Sequence, residues 1–423
     1  MNEELLHYIW QYKLYKPDLR TTDNKPIEVI HPGIKNMDGG PDFFNAKIKI
    51  DGTLWAGNVE IHQNEKEWYL HQHHQDPSYD NVILHVVEIN NKTTYNSKNR
   101  LIPACCLPVS MTLKNRLKKL YTSSKWIACA QNISNINEFT LSQWMERMLI
   151  ERLEEKSYLV NNLLKATNNN WDQVFFILLA RSFGFGLNGL PFELMAKQTP
   201  LTILLKHTDN LFQMEALLFG QAGLLTEPKE QDEYTTSLKR EYEFLRNKYL
   251  LKPISQSPWK FLRLRPANFP TVRIAQLANL MCNIKGSFEQ LLNLSQQPLL
   301  LNKMNIGTSD YWKSHYVLGK QSSKSSVKLL GSSSKQRLIV NTIIPYLFIY
   351  AAKHKDEQQK EKIIDYLYQQ PSENNKTLEQ WNNLGVPSKN EAQAQALLYL
   401  KSNYCNQKKC LNCHIGHEVL CKN

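Results

Sequence analysis

The chain has 423 residues, 42% of them hydrophobic and 21% charged, and a formal net charge of +12. This composition excludes a collagen-like or disordered chain and is typical of a globular protein, and the length predicts two or three domains. No run of about 18 apolar residues occurs, and the N-terminal residues have neither the basic stretch nor the cleavage site of a signal peptide. We therefore expect a cytoplasmic protein that does not insert into a membrane.

Residues 1–130 show an α/β pattern that begins with a helix at about 3–15. Three strands, a short helical stretch and two further strands are predicted after it: Ile27–Ile34, Phe43–Ile50, Thr53–Gln63, Glu65–Gln75, Asn81–Asn90 and Leu101–Val109. Asp51-Gly52 predicts a tight hairpin turn. An apolar strand beside amphipathic strands predicts a mixed sheet that is covered on both faces.

From about residue 135 the apolar residues recur with a helical period. The predicted fold is therefore α+β, with three parts: an α/β domain over 1–130, a larger helical domain over 131–403 and a cysteine-rich tail over 404–423. Residues 246–340 of the helical domain hold 15 Lys and Arg against two acids. Such a charge favours a polyanion, so nucleic acid is the expected partner, and ordinary solvated lysines are the alternative.

Asp42 precedes one predicted strand, and Glu60 and His62 lie on the next. Glu60 and His62 point to the same face because side chains alternate along a strand. If the two strands pair, Asp42 and Glu60 converge on one cation, and two carboxylates suit Mg²⁺ or Mn²⁺ in phosphodiester hydrolysis. Asp42 alone could be a turn cap, but an acid within an apolar strand needs a partner or a function.

Three of the four residues from 71 to 74 are histidines. On a helix His71 and His74 share a face at i, i+3 and could bind a metal or contact phosphate, and a polar helix surface is the alternative. His85 lies in an apolar strand and is expected to be a hydrogen-bonded core histidine.

Four of the eight cysteines lie near the C-terminus with the spacing Cys405-x4-Cys410-x2-Cys413-x7-Cys421. Thiolates spaced in this way bind zinc or an iron–sulfur cluster, and reduced free thiols are the alternative. His417 could replace the last cysteine in a zinc site.

Three arginines flank the start of a predicted helix at about residue 270, where an anion would also meet the helix N-terminus. These are Arg263, Arg265 and Arg273. We expect them to contact phosphate, and pairing with carboxylates is the alternative.

Six distinctive segments are spread over almost the whole chain: GGPDF, GNVEIH, EWYLHQHHQDPSYDNVILHVV, RPANFPTVRIAQLA, NTIIPYLF and CLNCHIG. Together they resemble a bacterial family known as domain of unknown function 2851, a resemblance that implies no particular activity. Asp42, Glu60 and His62 are also similar to the PD-(D/E)XK nuclease motif, with His62 at the position of the lysine.

The nuclease resemblance implies a restriction-endonuclease-like α/β domain in which Asp42 and Glu60 hold Mg²⁺ or Mn²⁺. His62 would ligate the ion or assist the attacking water. Some nucleases of this class carry iron–sulfur clusters near the C-terminus, which by analogy favours a cluster at the cysteines.

The leading hypothesis is a metal-dependent nuclease that acts on DNA or RNA. A non-catalytic nucleic-acid-binding or scaffold protein on a degenerate nuclease fold is the second hypothesis, because the lysine is missing. A metal-dependent hydrolase of a small substrate, which would use the histidine cluster, is the third.

Overall fold

A computed structural model describes residues 3–15, 18–36, 38–89, 93–107, 109–226, 232–255, 259–285 and 305–421. The chain forms two compact units. The first unit comprises Met1–Glu146, Asn374–Ser388 and Leu397–Asn423, and the second comprises Arg147–Glu373 and Lys389–Ala396. The predicted α+β class is confirmed, since a sheet-rich N-terminal region is followed by a mostly helical one. The division into two units differs from the predicted boundaries at residues 130 and 403, and it includes the cysteine-rich tail in the first unit.

The first unit is built on a seven-stranded mixed sheet. The strands in chain order are β1 Leu19–Arg20, β2 Pro26–His31, β3 Ile34–Lys35, β4 Phe43–Ile50, β5 Thr53–Asn64, β6 Val82–Ile89, β7 Thr94–Tyr95, β8 Leu101–Ile102 and β9 Ala104–Cys106. The spatial order is β1-β2-β4-β5-β6-β9, with β3 paired to β4, while β7 and β8 form a separate ribbon. Strands β4 and β5 are antiparallel, whereas β6 is parallel to β5 and β9 is parallel to β6.

Helices of the first unit precede, interrupt and follow the sheet. Their bounds are α1 Glu3–Gln11, α2 Lys66–Leu70, α3 Met111–Thr122, Lys376–Asn383 and, at the end of the chain, His414–Cys421, which we call the C-terminal helix. The crossover from β5 to β6 consists of α2 and the 3₁₀ turns His73–Gln75 and Pro77–Tyr79. The order from α1 through β2, β4, β5, α2 and β6 therefore follows the predicted α-β-β-β-α-β sequence of elements.

The β4–β5 hairpin positions the two carboxylates. Its tight turn and the alternation of its side chains between the two faces of the sheet are both determined by adjacent residues. Asp51 and Gly52 have φ of 48° and 78°, the pair of left-handed conformations that a type I′ turn requires. Val59 and Ile61 join the core cluster formed with α1 and α3. Glu60 and His62 consequently lie on the opposite face of β5, where both are nonetheless buried.

The second unit is mainly helical. Its helices are the C-terminal part of Glu138–Glu154, then Ser157–Ala166, Trp171–Phe183, Gly189–Lys197, Leu201–Leu204, Leu211–Gln221, Glu233–Tyr249, Pro270–Asn283, Ser332–Leu338, Ile344–His354 and Glu357–Gln369, and Glu391–Tyr399 begins in this unit. A small ribbon pairs His315–Val317 with Lys320–Gln321. Among the described residues, no helix combines the length and apolarity needed to cross a membrane.

Candidate functional site

The two predicted carboxylates are linked to each other through the backbone. The N–H of Asp42 donates to Glu60 Oε2 over 3.0 Å, and the N–H of Ile61, next to Glu60, donates to Asp42 Oδ2 over 2.9 Å. These bonds tie the start of β4 to β5 at the pair Phe43–Val59, where the ladder register shifts. The hairpin therefore brings Asp42 and Glu60 together as predicted.

Helix α1 adds two side chains that the sequence did not suggest. His7 Nε2 lies 3.2 Å from Asp42 Oδ2 and 3.7 Å from Glu3 Oε1. One ligand atom each from Glu3, His7 and Asp42 lies within 4.8 Å of the other two, a spacing compatible with a metal ion. Glu3 and His7 are separated by one helical turn, and that i, i+4 spacing was the available sequence signal.

Imidazole rings surround the other carboxylate. Glu60 Oε1 lies 3.3 Å from His73 Nε2 and 3.5 Å from His62 Nε2. Ring nitrogens of His62, His71 and His73 lie within 4.8 Å of one another, a second group that could hold a metal ion. His71 is exposed, so this group is open to solvent on one side. We refer to these residues together as the carboxylate–histidine site: Glu3, His7, Asp42, Glu60, His62, His71 and His73.

His73 joins the site, whereas His74, which was predicted from helical spacing, does not. Helix α2 ends at Leu70, and Gln72 adopts the left-handed conformation with φ of 61°. The spacing of an uninterrupted helix therefore does not apply beyond that point. His73 is buried and stacks on Tyr79, while His74 contacts Tyr69 and Gln75.

A buried hydrogen-bonded chain orients His62. Its Nδ1 lies 2.9 Å from His85 Nε2, and His85 Nδ1 lies 3.0 Å from Thr94 Oγ1. This bonding confirms the expectation that His85 is a hydrogen-bonded core histidine. It leaves Nε2 of His62 directed at Glu60, and a partner on the second ring nitrogen is the usual arrangement for a metal-ligating histidine.

Burial shifts the pKa values of the ionisable groups at the centre of the site. Burial, and then the neighbouring Asp42 carboxylate, raise the pKa of Glu60 to about 9. Burial, and then the nearby imidazoles, lower the pKa of His62 to about 2 and hold that of His85 at about 3. His62 is consequently neutral at physiological pH and has a lone pair available for a metal.

The predicted arginines have different surroundings. Arg273 is 7% exposed, its guanidinium donates to Gln276 and Asn268 and lies over the Phe185 ring, and burial lowers its pKa to about 10. The structure therefore places Arg273 in the interior, not in a position to contact phosphate. Arg263 and Arg265 are exposed. Residues 256–258 and 286–304 of the basic segment lie outside the described residues.

The cysteine-rich tail is divided between two places. Cys405, Cys410 and Cys413 line a small cavity together with Cys129. Cys421 does not line this cavity and lies near His417, with its sulfur 3.7 Å from Nε2. Cys129 was missed because it is far from the tail in the sequence and no local pattern marks it.

Comparison with protein families accounts for most of the chain. Residues 3–376 match the model of a family described as protein of unknown function, DUF2851. The chain belongs to this family. No curated protein and no solved structure matches the chain. The family match covers the whole carboxylate–histidine site and ends before the cysteine-rich tail.

Proposed function

We propose that the carboxylate–histidine site is a divalent-metal centre that hydrolyses phosphodiester bonds in nucleic acid. The observation that best supports this is the environment of Glu60, whose carboxylate is buried between imidazole nitrogens and the backbone of Asp42. Two neighbouring carboxylates in a buried site need a proton or a cation to neutralise them. A divalent cation meets that need, and neutral imidazoles beside it supply ligands.

The ligand chemistry favours Mn²⁺ over Mg²⁺, because Mg²⁺ prefers oxygen ligands whereas imidazole suits transition metals. One ion would be held by Glu60 with His62, His71 or His73. A second would be held by Asp42 with Glu3 and His7. In such centres the metal acts as a Lewis acid and lowers the pKa of bound water.

Nucleic acid is the proposed substrate because of charge and element order. The surplus of 13 positive charges in residues 246–340 exceeds the net charge of the whole protein, and such a surplus favours a polyanion. The order of helices and strands, with Asp42 directly before β4 and Glu60 on the adjacent strand β5, also agrees with the nuclease resemblance of the sequence.

Activity tests should use single- and double-stranded DNA and RNA with Mn²⁺ or Mg²⁺, and calorimetry should measure Mn²⁺ binding. Asp42→Asn and Glu60→Gln keep a hydrogen-bond acceptor for the backbone N–H groups but remove the negative charge. We expect both to reduce cleavage at least 100-fold and to weaken Mn²⁺ binding. Asp51→Asn, at the exposed hairpin turn, is the matched control and should retain both. Cleavage that persists in both site variants would contradict the assignment of Asp42 and Glu60 to the active site.

The second hypothesis, a non-catalytic nucleic-acid-binding protein, is favoured by one observation. His62 is neutral and tied to His85, so it does not supply the positive charge that a lysine supplies in the nuclease motif. His62→Lys separates the two hypotheses. If His62 is a ligand, the ammonium group abolishes Mn²⁺ binding and cleavage. If the site is a degenerate nuclease, the wild-type protein binds nucleic acid without cleaving it and the lysine restores turnover.

A further inference from the structure

Four cysteines from distant parts of the chain meet at one small cavity in the first unit. Cys129 lies between α3 and Glu138–Glu154, and the other three lie after Glu391–Tyr399. We call these residues the four-cysteine site: Cys129, Cys405, Cys410 and Cys413. The cavity brings these four side chains to one place, next to Gly416 of the C-terminal helix. Cys413 is buried and the other three cysteines are partly buried.

The last cysteine of the four has the surroundings of a thiolate ligand. Backbone N–H groups of Ile415 and Gly416 hydrogen-bond to the Cys413 sulfur. Hydrogen-bond donors around a cysteine sulfur stabilise its thiolate and tune the metal that it binds. This arrangement depends on the start of the C-terminal helix.

Gly416 allows that helix to approach the cysteine loop. A Cβ at this position would lie 2.0 Å from the carbonyl oxygen of Cys410, a distance that no side chain tolerates. The backbone of the helix is therefore packed directly against the loop that carries Cys410 and Cys413.

Positive charge complements the sulfurs. Lys409 lines the cavity together with the four cysteines. A centre with four thiolates is anionic, so nearby ammonium groups would stabilise the metal-loaded form.

The spacing of the ligands favours an iron–sulfur cluster. Cys405-x4-Cys410-x2-Cys413, with a fourth cysteine far away in the sequence, has the C-x4-C-x2-C spacing of plant-type iron–sulfur sites.

We propose that the four-cysteine site binds an iron–sulfur cluster, with Cys129 and not Cys421 as the fourth ligand. The cluster would link the segment after α3 to the C-terminal segment and so hold the C-terminal helix against α1 and α3. This proposal does not depend on the carboxylate–histidine site.

The test is the metal content of the full-length protein, purified without oxygen, together with three cysteine variants. We expect iron, acid-labile sulfide and a broad visible absorption band. Cys129→Ser should lose most of the iron and the band, as Cys413→Ser should, whereas Cys421→Ser should retain both. Loss of the cluster in Cys421→Ser with retention in Cys129→Ser would overturn the ligand assignment. Zinc without iron, or no metal after reconstitution with iron and sulfide, would overturn the cluster.

A measurement on the wild-type protein keeps the test decisive if a serine variant fails to fold. Alkylation of the native protein, mapped by mass spectrometry before and after treatment with an iron chelator, reports which cysteines the metal protects. We expect the exposed residues Cys106 and Cys421 to react in both states. The four-cysteine site should become reactive only after chelation, and reactivity that does not change with chelation would contradict the proposal.

Discussion

Single residues in this protein show how burial and hydrogen bonding together determine charge. Glu215, in the second unit, is fully buried and accepts hydrogen bonds from Tyr234, Ser309 and Trp312. Glu60 is also buried, but it faces imidazole nitrogens and a second carboxylate. Glu215 therefore has complete protein partners, which indicates a structural role, whereas Glu60 lies beside groups that are candidate metal ligands.

Glu215 predicts a pH dependence of stability. Burial raises its pKa to about 7 despite its three donors, whereas a glutamate in an unfolded chain titrates near 4.3. As the pH rises from about 4 to 7, the unfolded chain releases its proton first, so this residue lowers the free energy of unfolding progressively, by at most about 4 kcal/mol, and the effect levels off above pH 8. Glu215→Gln keeps an acceptor and should flatten this slope.

Urea unfolding at pH 5 and pH 8 measures the effect. Between pH 5 and pH 8 the free energy of unfolding of the wild-type protein should fall relative to that of Glu215→Gln. Glu243→Gln replaces an exposed glutamate in the same unit and should run parallel to the wild type. If the free energy of unfolding changed equally with pH in the wild type and in Glu215→Gln, the raised pKa of Glu215 would be refuted.

At the scale of elements, the sequence predicts what local physics decides. Strand β4 was predicted with its observed bounds and β5 within one residue, since alternation and the Asp51-Gly52 turn are encoded in adjacent residues. The helical stretch predicted over Glu65–Gln75 is longer than the observed helix α2, which ends at Leu70. Helical periodicity in the sequence does not reveal that Gln72 adopts the left-handed conformation. The part that α1 plays in the site was missed because it depends on tertiary packing.

At one glycine of the second unit, helix propensity and helix packing have opposite effects on stability. Gly220 lies in Leu211–Gln221, and a Cβ there would lie 2.0 Å from the ring of Tyr242. The Tyr242 hydroxyl donates to Gln221 over 2.8 Å, so the ring cannot move away freely. Gly220→Ala should lower the free energy of unfolding by about 1–3 kcal/mol although alanine is the better helix former.

The matched control is Gly189→Ala, also in a helix of the second unit. A Cβ at Gly189 would lie no closer than 3.5 Å to its neighbours. This variant should be neutral or slightly more stable in the same urea or thermal unfolding experiment. A Gly220→Ala protein as stable as the Gly189→Ala protein would show that the two helices do not pack as described.

At the scale of the whole molecule, the candidate sites depend on contacts between distant segments. The first unit contains residues from both ends of the chain, and Leu411 and Leu420 of the tail belong to the same core cluster as Leu5 of α1. Motif spacing alone pointed to the tail cysteines and the hairpin carboxylates. It could not point to Cys129, and the i, i+4 spacing of Glu3 and His7 shows only that they share a helix face, because the folded chain is what brings these residues to their sites.

The positive surplus predicts how nucleic-acid binding responds to salt. Each phosphate contact made by an arginine contributes about −0.9 to the slope of log K against log salt for duplex DNA. Arg263 and Arg265 are exposed, so replacing both with glutamine should make the slope less steep by about 2. Arg273→Gln should instead lower stability, because that guanidinium is buried and bonded to Gln276 and Asn268.

A fluorescence titration of labelled duplex DNA at several salt concentrations measures these slopes. The double variant Lys353→Gln with Lys355→Gln is the matched control, because both lysines are exposed and lie outside residues 246–340. Each pair contains one residue with a positive φ, Lys355 in the control and Arg263 in the test pair. Equal losses in the two double variants would mean that net charge alone governs binding. A smaller slope only for the arginine pair would place the phosphate contacts on the basic segment, because one removed contact releases one counterion fewer.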